Sequence, residues 1–70
     1  MISIQMSTKE NFASFIDKES GKAVFVDSFD NIEFDVRIGS LDHTDFVGSV
    51  RAETDDELTA RLNQLVQQVA

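Results

Sequence analysis

The chain is expected to fold as a two-layer α+β domain: a helix, a three-stranded antiparallel meander and a second helix, with both helices on one face of the sheet. Three observations lead there. A capped amphipathic segment begins at Thr54; residues 22–52 hold three apolar runs of strand length, the middle one with a clean period of two; and Ser7-Thr8-Lys9-Glu10 ahead of Phe12, Phe15 and Ile16 has the form of a capping box opening a short helix. At 70 residues and 7.8 kDa the material suffices for a single domain, spanning 1–70.

At the start of the chain, Ile2, Ile4 and Met6 alternate with Ser3 and Gln5. Two readings are open: an extra N-terminal strand, which would make the first helix a right-handed crossover between parallel strands, or a packed irregular arm. The first helix is expected over about 8–19, stopping at Gly21 and placing Phe12 and Phe15 in the core. The run Ala23-Val24-Phe25-Val26 suits a central strand within 22–28, and Asp30-Asn31 a tight turn that tolerates positive φ. In 32–38, Ile32, Phe34, Val36 and Ile38 share one face and Glu33, Asp35 and Arg37 the other. A polar connection over 39–45 leads to a last strand at 46–52. Thr54 then caps the final helix, Glu57 completes the capping box, and Leu58, Leu62, Leu65, Val66 and Val69 form its apolar stripe.

The charge balance restricts the partners. Six basic residues stand against thirteen acidic ones, a net charge of -7. Nucleic-acid affinity is largely phosphate neutralisation by Lys and Arg, so direct DNA or RNA binding is disfavoured, as is docking on an anionic membrane. The partner such a field attracts is a larger protein with a basic surface. The sequence has no cysteine, so disulfides and thiolate metal sites are absent. It shows neither a secretory signal nor a membrane span, and a cytoplasmic protein is expected.

No residue pattern calls for a cofactor. Asp42, His43 and Asp45 share a loop, but one His without Cys is poor material for a zinc site, and Ser40, Asp42 and His43 lie too close together to be read as a triad. Gly21, Gly39 and Gly48 stand alone and make no phosphate loop. No metal, no cofactor and no enzymatic activity are therefore expected. The candidate protein-binding residues are Asp27, Phe29, Asp30, Glu33, Asp35, Asp45 and Glu53: carboxylates of the meander and its turn, with Phe29 as an aromatic anchor among them.

The nine residues from Val50 to Leu58 resemble the strand-to-helix corner of HicB-type antitoxins, which neutralise a small RNA-cleaving toxin, and that of several phage-encoded inhibitors of host enzymes. The glycine and aromatic pattern of the antitoxin's strands is not matched. The expected order of helix, three strands and helix is also similar to that of double-stranded-RNA-binding domains, whose basic helix start is replaced here by Asp55, Asp56 and Glu57. The expected function is a non-enzymatic acidic protein-binding module, an inhibitor or adaptor in the manner of phage host-function inhibitors or nucleic-acid mimics. The alternatives are an antitoxin-like partner of a small basic toxin, or a dimeric structural domain whose acidity has no specific role. Self-association as a homodimer is expected through the free sheet edge or the last helix.

Overall fold

A computed structural model describes residues 4–69. It contains four strands and one helix: β1 (Phe12–Ile16), β2 (Ala23–Ser28), β3 (Glu33–Gly39), β4 (Thr44–Arg51) and α1 (Asp55–Val69). The strands form one antiparallel sheet in the order β1-β2-β3-β4. The expected helix, three-stranded meander, helix order is thus corrected to four strands followed by a single helix. With it goes the chain order that resembled double-stranded-RNA-binding domains. No helix among the described residues is long and apolar enough to cross a membrane.

The correction lies in residues 7–22. The capping-box bonds do form: the Ser7 amide donates to Glu10 Oε1 at 3.0 Å and the Lys9 amide to Ser7 Oγ at 3.2 Å. They close a lone turn and start no helix, because Phe12-Ala13-Ser14-Phe15-Ile16 follows, rich in strand-favouring Phe and Ile and able to pair with β2 from Phe12↔Asp27 to Ile16↔Ala23. Strand period sends Ala13 and Phe15 to the helix side, where both pack on the core, and leaves Phe12 and Ile16 on the other side. Phe12 is therefore not a core residue. Gly21 is a hairpin residue and no helix stop: at φ +76° it completes a loop in which the Asp17 amide donates to the Lys22 carbonyl at 2.8 Å.

The core lies between one face of the sheet and α1. Val24, Val26, Phe34 and Val36 from the sheet and Leu58 and Leu62 from the helix are fully buried. Leu65 is half-buried and Val69 exposed, so the apolar stripe loosens toward the C-terminus. Thr54 caps the helix, its Oγ1 accepting from the Glu57 amide at 3.1 Å, while Glu57 Oε1 returns the bond one residue earlier than a standard box, to the Glu53 amide at 3.3 Å.

The N-terminal arm shares with α1 the layer that covers the sheet. Ile4 and Met6 are buried in the core cluster, yet residues 4–7 belong to no strand. Helix side chains hold the arm's backbone. Asn63 Oδ1 accepts from the Ile4 amide at 3.0 Å and its Nδ2 donates to the Ile4 carbonyl at 2.8 Å; the Thr59 hydroxyl serves both the amide and the carbonyl of Met6 at 3.4 Å. Of the two readings of this segment, the packed arm describes residues 4–6, and Ile2 and Ser3 lie outside the described residues.

β4 carries a bulge. Val36 pairs with Gly48 and Arg37 with Phe46, so Val47 is an extra residue and the alternation changes phase there. A strand with uniform alternation would put Phe46, Gly48 and Val50 on one face; here Val47 and Val50 pack on the core and Phe46 is turned to the opposite side. Ile32, expected at the start of β3's buried face, precedes that strand and is exposed. The β3–β4 connection closes tightly on Gly39, where an added Cβ would collide with the His43 carbonyl oxygen.

Candidate functional site

Two surfaces emerge from this frame: the end of the molecule formed by the β2–β3 turn, and the uncovered face of the sheet. At the turn, Asn31 adopts φ +61°, the conformation that Asp-Asn tolerates. Asp30 Oδ1 accepts from the amides of Ile32 and Glu33, each at 2.9 Å, and Ser28 Oγ accepts from the Asn31 amide at 2.8 Å while donating to the Glu33 carbonyl at 2.7 Å. Those amide bonds, Glu33's first and then Ile32's, hold the Asp30 carboxyl below its ordinary value. Asn31 Nδ2 reaches the Thr8 carbonyl at 2.8 Å, fastening the turn to the 7–10 turn of the arm. Asp55 ties the same region together: its Oδ1 accepts from the Thr8 amide at 2.8 Å, the Thr8 hydroxyl at 3.0 Å and the Ser7 hydroxyl at 3.2 Å, and these bonds, the Thr8 amide foremost, lower its pKa.

This framework presents Phe29 to solvent completely, at 104% relative exposure, with Ile32 partly exposed nearby. The Ala52 amide donates to the Ile32 carbonyl at 3.0 Å, which brings the β4–α1 corner beside the turn. Glu10, Asp30, Glu33, Glu53, Asp55, Asp56 and Glu57 gather at this end against Lys9, Arg51 and Arg61. Arg61 is engaged by Glu57 Oε2 at 3.3 Å and by the Arg51 carbonyl. Of the seven residues singled out from sequence, Phe29, Asp30, Glu33 and Glu53 meet here. Asp27 and Asp35 are cross-strand neighbours one step in, on the uncovered face. Asp45 is not among them: it pairs with Ile38 at the far end of the sheet and binds His43 Nε2 at 3.1 Å. Among the described residues no cluster of three or more potential ligand side chains could hold a metal ion.

The uncovered face was not anticipated as an apolar surface. Cross-strand register places Phe12, Asp27, Asp35 and Ser49 in one row and Ser14, Phe25, Arg37 and Phe46 in the next, with Ile16 beyond. Phe12, Ile16 and Phe46 are each at least half exposed, and Phe25 is half-buried among them. Phe12, Phe25 and Arg37 border a shallow depression of about 320 Å³ closed on one side by Leu41 and its loop. The strand-favouring Phe and Ile of Phe12–Ile16 were the available signal for β1; the phase change that exposes Phe46 has only Gly48, mid-strand, to mark it. Comparison with protein-family models, with curated proteins and with solved structures finds no match.

Proposed function

We propose that this is a non-enzymatic protein-binding module that docks on the basic surface of a larger partner through the end of the molecule carrying the β2–β3 turn. The observation that supports it is Phe29: a fully exposed ring on a turn held by four side-chain hydrogen bonds, among a local excess of carboxylates. An exposed aromatic on a preorganised turn loses little conformational freedom on binding and can fill a pocket, while the carboxylates around it steer a cationic partner into place. Asp30 has a structural part, since its carboxylate is committed to the turn, and Glu33 and Glu53 are the steering charges. An inhibitor, an adaptor and an antitoxin-like regulator would all use such a surface, and the partner separates them.

The test is quantitative affinity capture from the native host with three baits: the wild type, Phe29→Ala, and Glu33→Lys combined with Glu53→Lys. A specific partner should be depleted by both variants. In surface plasmon resonance with that partner, Phe29→Ala should accelerate dissociation and the charge-reversed variant should slow association. A partner retained equally by all three baits would place the working surface elsewhere.

A further inference from the structure

We propose that the uncovered face of the sheet is the contact surface for a second copy of this chain. The two sheets would meet about a two-fold axis that crosses the strands between the Asp35 and Arg37 rows, so that Arg37 of each copy opposes Asp35 of the other. This surface adjoins the turn end and shares Glu33 and Arg51 with it, but the contact is centred on Asp35, Arg37 and Phe46, which the function proposed above does not use.

The charge distribution favours a second copy over a basic partner here. The strands of this face carry Asp27, Glu33 and Asp35 against Arg37 and Arg51, and Asp42 lines the depression at its edge, a net of -2, so five of the seven units of net negative charge lie elsewhere. Neither arginine has an ion-pair partner among the described residues, and the surface between the charges is aromatic. A nearly neutral face of mixed sign matches a copy of itself, provided the symmetry sets opposite charges together.

Register decides which symmetry does so. In an isologous contact, if residue i meets residue j then j meets i. A two-fold axis parallel to the strands and central to the sheet, between β2 and β3, would lay β2 over β3 at the same height and set Asp27 against Asp35, a repulsive pair. An axis across the strands lays β3 antiparallel over its own copy and exchanges the two rows. Because Asp35 and Arg37 are two residues apart on that strand, each then faces the other type, giving two symmetric Arg37–Asp35 pairs. The same operation puts Phe46 over Ser49 and Asp27 over Phe25, so that within these two rows no carboxylate lies directly over a carboxylate. Packed sheets stand about 10 Å apart, a gap that the rings of Phe12, Phe25 and Phe46 from both copies would fill, and the depression beside Leu41 leaves room for interdigitation. Single-strand nucleic acid, the other ligand that stacks on sheet aromatics, is disfavoured by the same carboxylates and by the overall charge of -7.

Sedimentation equilibrium on the intact protein tests this with Arg37→Asp and Asp35→Arg, alone and mixed. The wild type should dimerise, more tightly at physiological than at low salt, since screening reduces the repulsion between two acidic chains more than it weakens pairs inside the contact. Each variant alone should weaken the dimer by about tenfold or more, because it sets like charges together. An equimolar mixture should recover the wild-type dimer mass, as aspartates at 35 and 37 of one copy then meet arginines at 37 and 35 of the other; an internal structural role would show no such rescue. Circular dichroism controls for folding, and Phe46→Ser, which leaves every charge in place, should give a monomer by itself. A wild type that stays monomeric at high concentration, a dimer indifferent to Arg37→Asp or to Phe46→Ser, or folded variants that fail to associate on mixing would each overturn the proposal.

Discussion

The two faces of the sheet are drawn from similar residues and have opposite fates. On the helix side Val24, Val26, Phe34 and Val36 are fully buried under α1 and the N-terminal arm; on the other side Phe12, Ile16 and Phe46 remain in water. A Phe at 34 and a Phe at 46 are chemically the same, and what separates them is the covering layer. An apolar residue in a strand reports that its face can be buried, and the chain must then supply something to bury it. Here one 15-residue helix and a short arm cover one face.

The comparison makes its largest prediction at the centre. Phe34→Ala should cost about 3–5 kcal/mol by leaving a cavity, whereas Phe46→Ser at low protein concentration should change stability by no more than about 0.5 kcal/mol. Denaturant titration of both variants measures the contrast, and comparable losses would mean that the second face is also covered. Asn63→Ala should come next, at about 1–3 kcal/mol, since it deprives both the amide and the carbonyl of Ile4 of their partners. Its signature is faster hydrogen exchange at Ile4 and Met6 with strand amides unaffected; uniform acceleration would deny the arm its local character. Thr54→Ala should cost about 1 kcal/mol through loss of the helix cap, read as a shift in the denaturation midpoint.

The smallest effect is a pH dependence. Asp30 and Asp55 both have pKa values lowered by the hydrogen bonds their carboxylates accept. A carboxyl lowered in the folded state contributes stability above its unfolded value, near 3.8, and that stability is lost as pH falls through the folded value. Acid titration should therefore loosen the turn end first. Chemical shifts of Asn31 and Thr8 that moved only with global unfolding would contradict this.

The sequence was most readable where local chemistry and tertiary packing agree. Thr54 and Glu57 announced α1, and Phe34 and Val36 the buried face of β3. It misled where a local motif was genuine but tertiary pairing took precedence: the Ser7–Glu10 bonds exist, yet the pairing of Phe12–Ile16 with β2 outweighs a helix whose spacing the same three apolar residues also fit. Gly39 and Gly48 hint at tight closure and a bulge, but a composition cannot say which side of the bulge a ring will take. The turn end was legible because Asp30-Asn31 is local chemistry. The aromatic face was not, since its exposure depends on what fails to cover it.

The clasp between Ile4 and Asn63 also orders events in time. It joins positions 59 residues apart, whereas the hairpins of the sheet close over far shorter loops. On a ribosome the arm would be synthesised early and wait, its two apolar side chains unsheltered, while the strands paired behind it. Only after α1 had left the exit tunnel could Thr59 and Asn63 receive it, so arm docking should be the closing step of folding, with the arm's apolar residues open to chaperones until then.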